Sequence, residues 1–252
     1  MLIQDFFKEN PICAVAFSGG VDSACLLWAA AAYGSRTAAY FVKTPFQPAF
    51  ELEDARETAG RLGAELRVLE ADILSVPEVA ANPTDRCYYC KRALFARILE
   101  ESARDGFPMV LDGCNASDDA SDRPGMRALR ELGVRSPLRE CGIDKAGVRR
   151  LARQAGLPVW DKPSYACLAT RVPAGTPITP GALDRIARGE AFLMSLGLSD
   201  FRLRLREDGA LLQVRADQTS LAQRLLPEIC GKLESDFRQI RLDPVPRASR
   251  ET

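Results

Sequence analysis

The stretch AFSGGVDSACLL, residues Ala16–Leu27, decides the fold. An apolar run, Ile12–Phe17, reads as a buried strand and stops at Ser18. Two glycines follow, then Val21, Asp22 and Ser23, and residues Ser23–Tyr33 read as a helix. In an open parallel sheet, ligands sit beyond the carboxyl ends of the strands, which is where this turn lies. Gly19 and Gly20 permit backbone dihedrals and close approaches that a side chain forbids. Successive backbone N–H groups, the helix N-terminus and the hydroxyls of Ser18 and Ser23 then converge on a place suited to phosphate or pyrophosphate. The plainer reading of the same residues is a tight strand-to-helix turn capped by Asp22.

Outward from this turn, strand and helix signals alternate. Thr37–Val42 and Leu66–Glu70 read as strands, and Phe50–Leu62 as an amphipathic helix closed by Gly63. Cys90–Arg104 is helical, with Leu94, Phe95, Ile98 and Leu99 on one face. Met109–Leu111 is a short strand entering DGCNASDD, and Asp144 caps a helix that Gly156 closes. This alternation implies an α/β fold with a doubly wound parallel sheet. The stretch RVPAGTPITPG, residues 171–181, reads as a linker. Beyond it come helix Ala182–Leu196, strands Phe201–Arg206 and Leu211–Arg215, helix Leu221–Leu233 and a strand near Phe237–Leu242. The expected domains are therefore residues 1–175 and a small C-terminal α+β domain, residues 176–252.

Composition narrows the function. The chain has 252 residues, 46% hydrophobic and 27% charged, enough for a sizeable core. Lys plus Arg equals Asp plus Glu at 34 each, which speaks against a protein that mainly grips a nucleic-acid backbone. There is no histidine, so catalytic pairs built on imidazole are excluded. Residues Met1–Asp5 lead into no long apolar run of the signal-peptide type, and no segment reaches membrane-spanning length. The expected location is cytoplasmic, where eight cysteines mean thiols or metal ligands rather than disulfides.

Cys87 and Cys90, in RCYYCK, lie three residues apart, on one side of a helical turn. They open the expected helix, where the dipole favours thiolates. Cys167 stands in the loop-like WDKPSYACLATRVPAG. Three readings are open: half-buried thiols, a zinc site that recruits a fourth cysteine such as Cys114, or a three-cysteine iron–sulfur site. Cys13, Cys25, Cys141 and Cys230 read as core or surface thiols.

Ser18-Gly19-Gly20-Val21-Asp22-Ser23 resembles the SGGxDS loop of the PP-loop ATP pyrophosphatases, the adenine nucleotide alpha hydrolase-like superfamily. NPTDRCYYCKRALF, DGCNASDD, DRPGMRAL, RSPL and KPSYACLATRVPAGTPIT, in this order, resemble the LarE family of ATP-dependent sulfur transferases over most of residues 13–196. The resemblance implies ATP cleavage between its α and β phosphates, with the loop Ser18, Gly19, Gly20, Val21, Asp22 and Ser23 holding pyrophosphate. Asp22 would coordinate magnesium, a role suited to a carboxylate. It implies adenylation of a carboxylate of pyridinium-3,5-biscarboxylic acid mononucleotide and its conversion to a thiocarboxylate. That step belongs to synthesis of the nickel-pincer nucleotide cofactor of lactate racemase. Two sulfur sources occur in the family: Cys167 matches a cysteine that surrenders its own sulfur, whereas Cys87, Cys90 and Cys167 together match a 4Fe–4S-bearing subtype. The presence of all three favours the cluster.

The resemblance also assigns the substrate phosphate to Arg204 and Arg206, in RLRLRED, and a magnesium-ligand role to Glu190. The plainer reading of the arginines is a solvated strand face. Ser117 and Gln213 stand where the family usually or often has acids, which weakens metal-ligand roles for Asp112, Asp118 and Gln213. A homo-oligomer, other nickel-pincer biosynthesis proteins as partners, and no membrane or nucleic-acid partner are expected. Competing readings are a tRNA 2-thiolation enzyme, an ammonia-using ligase of the NAD-synthase type, and a nucleotide-binding module without activity.

Overall fold

The computed structural model describes residues 1–118 and 124–247. Asp119, at the end of DGCNASDD, and Asp122 and Arg123, which open DRPGMRAL, lie outside the described residues, as do the last five of the tail beyond Pro244. The chain divides into two compact units. One comprises Met1–Val79 and Asp85–Lys162, the other Ala80–Thr84 and Pro163–Thr252.

The first unit runs α1 (Ile3–Glu9), β1 (Ile12–Ala16), α2 (Val21–Ala32), β2 (Arg36–Lys43), α3 (Ala49–Arg61) and β3 (Glu65–Glu70). After the short α4 (Pro77–Ala80) come α5 (Arg86–Arg104), β4 (Val110–Leu111), α6 (Pro124–Glu131), α7 (Pro137–Glu140) and α8 (Lys145–Gln154). The sheet order is β3-β2-β1-β4, and every pairing is parallel. Cys13 and Val15 of β1 face one core with residues of α2, α3 and α8. Ala14, between them, faces a second core with residues of α5 and α6. A strand covered on both faces needs apolar residues throughout, which is why β1 reads as one continuous run. From β1 the chain proceeds to β2 on one side, while β4 pairs on the other. The crevice opened by that reversal lies beyond the carboxyl end of β1, at the SGGVDS turn.

The helix α5 begins at Arg86, a turn earlier than its apolar periodicity announces. Asp85 precedes it and its carbonyl accepts the Tyr88 N–H at 2.8 Å. Its first five residues are Arg86, Cys87, Tyr88, Tyr89 and Cys90, none of them aliphatic, so no stripe marks them. Helices α1, α6 and α7 were not legible as elements for a related reason: each is eight residues or shorter.

The second unit contains α9 (Pro180–Ser195), β5 (Arg202–Arg206), β6 (Gly209–Gln213), α10 (Thr219–Lys232) and β7 (Ile240–Leu242). Strand β6 is central, antiparallel to β5 and parallel to β7. Its core gathers Leu193, Leu203, Leu212, Ile229 and Phe237. The proline-rich stretch 171–181 lies wholly inside this unit, and the chain divides after Lys162. The buried Asn82, at φ 54°, donates through Nδ2 to the carbonyls of Pro173 (2.8 Å) and Thr176 (3.1 Å) and accepts from Gly175 N (2.7 Å). Ala80 O accepts from Ile178 N at 2.8 Å. Proline and glycine there mark irregular backbone, and Ala80–Thr84 satisfies its polar groups. Among the described residues, no helix is long and apolar enough to cross a membrane.

Candidate functional site

The turn after β1 is built by two close approaches. Gly19 has φ +72°, and a Cβ on it would lie 3.1 Å from Ala55 Cα of α3. A Cβ on Gly113 would lie 2.9 Å from the Ser23 backbone nitrogen. Glycine at both positions lets two backbones press against the turn from opposite elements. Gly20 forms the N-cap of α2. The buried Ser23 donates its hydroxyl proton to Gly20 O (3.1 Å) and accepts from Ser18 N (3.2 Å). Ser18 Oγ, 3.2 Å from Ser23 Oγ, belongs to an exposed residue. Ser23 therefore shapes the turn from behind, and the Oγ of the exposed Ser18 accepts from Gly20 N at 3.4 Å. Val21 packs into the core beneath.

Asp22, the second residue of α2, is half-buried and has two partners that the linear sequence gives no hint of. Asn115 Nδ2 donates to its Oδ1 at 2.9 Å, and Lys145 Nζ lies 2.5 Å from its Oδ2. Asn115 is itself fixed, because its Oδ1 accepts from Ser117 N at 2.9 Å and its N–H donates to Asp118 Oδ2 at 3.0 Å. Ser117 Oγ accepts the Lys145 N–H at 3.0 Å. Asp112 is buried and accepts from Ser136 Oγ (2.5 Å) and from the Cys114 thiol (2.7 Å). The DGCNAS loop, at the carboxyl end of β4, thus packs over the glycine turn. Its place beside β1 in the sheet is the signal that the strand order, once known, supplies.

The eight cysteines fall into distinct environments. Burial pushes the Cys13 thiol up to about 11 and Cys25 up to about 12, as core thiols require. Burial, then the Asp112 carboxylate, pushes Cys114 far above the ordinary thiol range. Cys87 stands in the first turn of α5, and Cys90, the fifth residue, just beyond it. Cys87 is exposed, and the buried Arg86 guanidinium donates to its Sγ at 3.7 Å while lying over the Phe46 ring. Cys167 belongs to the second unit, where it caps the 3-10 turn Leu168–Arg171. Among the described residues, no three Cys, Asp or Glu side chains gather into a group that would hold a metal ion.

In the second unit one network links Cys167 to the arginine strand. The Cys167 carbonyl accepts from Thr170 Oγ1 at 2.8 Å, and Thr170 O accepts from Arg204 at 2.9 Å. Arg171, with no side-chain exposure, forks onto Glu190 at 2.7 and 3.0 Å. Glu190 also accepts from the Tyr165 hydroxyl and, at 2.9 Å, from Leu203 N. The expectation of a magnesium ligand here meets a carboxylate already engaged by four donor groups. Arg202, Arg204 and Arg206 alternate along β5 on the side away from Leu203. Burial, then the charges of Arg171 and Arg247, pushes Arg202 down to about 10 and lowers Arg204 in the same direction. Arg204 Nε donates to Gln213 Oε1 at 2.5 Å. Gln213 is neutral, so the Arg204 charge is not cancelled by it. Arg206 is exposed and lines a cavity of about 380 Å³ with Arg185 and Arg238.

The chain is 33% identical over 209 residues to the pyridinium-3,5-bisthiocarboxylic acid mononucleotide synthase of Lactiplantibacillus plantarum, covering 82% of this chain and 76% of that enzyme. The chain belongs to the LarE family. An uncharacterized protein of Synechocystis sp. is 36% identical over 219 residues, covering 86% of this chain and 81% of the relative. The argininosuccinate synthase of Haloarcula marismortui is 31% identical over 164 residues, 60% of this chain and 39% of that enzyme. No family model matches the chain. LarE membership, the four-stranded parallel sheet and the likeness to argininosuccinate synthase give this protein the α/β PP-loop fold.

Proposed function

We propose that this protein is an ATP-dependent sulfurtransferase that converts a carboxylate of pyridinium-3,5-biscarboxylic acid mononucleotide to a thiocarboxylate. The observation that carries the reading is the SGGVDS turn at the switch point of the sheet, in a chain one-third identical to a synthase of the bisthiocarboxylic product. A carboxylate is a poor electrophile. Its oxygen attacks the α-phosphorus of ATP, pyrophosphate departs, and the acyl adenylate carries AMP as a leaving group. A sulfur nucleophile then displaces AMP at the acyl carbon. The backbone N–H groups of Gly19 to Asp22 and the N-terminus of α2 bind the pyrophosphate, and Asp22 holds magnesium. The exposed Ser18 adds its hydroxyl. None of these steps needs an imidazole, in keeping with a chain that has no histidine.

The family resemblance supports Cys87, Cys90 and Cys167 as the three thiols of a 4Fe–4S cluster, which would leave one iron open. When bound, such a cluster supplies a hydrosulfide nucleophile at its open iron. Each of Cys87→Ala, Cys90→Ala and Cys167→Ala is expected to lose iron, sulfide and broad visible absorption after anaerobic purification. Cys114→Ala is expected to keep all three, because its proton is held by Asp112. After turnover with ATP, magnesium and the biscarboxylate nucleotide, the intact mass should be unchanged. Dehydroalanine at position 167, with Cys87→Ala and Cys90→Ala still active, would show that Cys167 gives up its own sulfur instead. Thiolated tRNA, in place of thiocarboxylate, would move the protein to a different substrate class.

Arg204 and Arg206 bind the phosphate of the substrate nucleotide. Arg204 is held below its ordinary range by burial and then by like charges, and a bound anion offsets the like charges. Guanidinium suits phosphate because it binds in a bidentate manner. Alanine at Arg204 or Arg206 is expected to raise the substrate's apparent binding constant roughly ten- to a hundredfold, the scale of one charge-assisted contact. ATP affinity, measured in parallel, should stay constant. A change below about twofold at both positions would return them to a solvated strand face.

A further inference from the structure

We propose that Lys145 is a phosphate-binding residue of the nucleotide site, its ammonium holding the phosphate chain of ATP, and the pyrophosphate it leaves, against the SGGVDS turn. The assignment rests on the ATP reading above. Lys145 is the first residue of α8, and its backbone is tied to Ser117 Oγ at 3.0 Å. Asp144 caps the same helix by accepting from Gly147 N at 2.7 Å. With its Cα fixed in this way, the flexible stem places Nζ 2.5 Å from Asp22 Oδ2. The two side chains are 24% and 26% exposed, so both are reachable from solvent.

The charges argue for the role. Within Ser18–Ser23 the only charged side chain is the Asp22 carboxylate. A polyphosphate brought to the N–H groups of this turn meets that negative charge at close range. The Lys145 ammonium, already seated on the carboxylate, cancels it. A divalent cation held on Asp22 Oδ2 would repel the Lys145 ammonium, which would then be free to turn to a phosphate oxygen. Lysine suits this exchange of partners better than arginine, because its three donors rotate on a four-carbon stem. Asn115 keeps Asp22 in place through the exchange by its bond to the other oxygen, Oδ1.

A strut that merely ties α8 to α2 makes a different forecast, and equilibrium binding separates the two. Isothermal titration calorimetry on the full chain measures inorganic pyrophosphate, ATP with and without magnesium, and adenosine. Lys145→Met is expected to weaken pyrophosphate and ATP roughly ten- to a hundredfold while adenosine stays unchanged. Lys145→Arg, which keeps the charge, is expected to retain most of the pyrophosphate affinity. Pyrophosphate and ATP affinities of Lys145→Met within about twofold of wild type would overturn the assignment alone. Loss of adenosine binding in equal proportion would do the same, by showing a collapsed site. Wild-type protein that binds no ATP would overturn the nucleotide reading and this assignment with it.

Discussion

Alanine at Asp22 is expected to lower ATP-dependent pyrophosphate release by roughly a hundred- to a thousandfold, the scale of losing one preorganised electrostatic contact at a reacting centre. The carboxylate is half-buried at the mouth of the turn, so its removal leaves the core intact. Lys145 loses an acceptor but is part-exposed, whereas the buried Asn115 loses the acceptor of its Nδ2, at a cost of about 1–3 kcal/mol. A modest drop in melting temperature is therefore expected, and a melt that stays cooperative in the same preparation makes the kinetic loss interpretable. Ser23→Ala is expected to act through the backbone of the turn instead. Ser23 is buried and joins Ser18 N to Gly20 O through its hydroxyl, so its loss unbraces the turn and lowers stability as well as rate. Pyrophosphate release by Asp22→Ala within about tenfold of wild type would remove Asp22 from the reaction and with it the magnesium assignment.

The glycine turn was legible in the sequence because its determinants are local. Strand, glycines and helix follow one another within Ile12–Ala32, and the backbone conformation each requires is set by its neighbours. The residues that complete the turn are not local. Asn115 reaches Asp22 across 93 residues and Lys145 across 123, and although Asn115 stands in DGCNASDD nothing in that stretch points to Asp22. Only the strand order, which puts β4 beside β1, brings the DGCNAS loop to the glycines. The early start of α5 was hidden for another reason. Hydrophobic periodicity reports burial, and the turn that carries Cys87 and Cys90 presents tyrosines and thiols. In the 171–181 stretch, whose composition reads as a linker, a distant asparagine holds the backbone. Glycine, proline and cysteine patterns thus located the chemistry, while the polar contacts that hold each piece in place came from the three-dimensional arrangement.

Alanine at Glu190 is expected to destabilise the second unit by about 3–5 kcal/mol, the usual cost of removing one partner of a buried ion pair. Burial disfavours the Arg171 charge, yet Glu190 more than offsets it and holds the guanidinium above its ordinary range. Without Glu190, a guanidinium with no side-chain exposure keeps its charge and loses its counterion. Tyr165 Oη and Leu203 N lose their acceptor at the same stroke. For a unit of this size, each 1 kcal/mol moves the melting temperature by about 4–8 °C, so a drop of at least ~12 °C is expected. Glu190→Gln should fall between wild type and alanine, because it keeps an oxygen for Leu203 N and gives up the charge. The double replacement Glu190→Met with Arg171→Met should recover much of the loss, since apolar pairs of similar volume often match a buried ion pair. Differential scanning calorimetry of wild type, Glu190→Met, Arg171→Met and the double replacement forms a double-mutant cycle. Coupling below about 0.5 kcal/mol would mean that Glu190 acts alone, and a carboxylate so uncoupled would again be available to a metal ion. Strong coupling ties Glu190 to Arg171 and Leu203, in the network that shares Thr170 and Arg171 with the Cys167 turn, so its loss should also change the reactivity of Cys167 toward a thiol reagent.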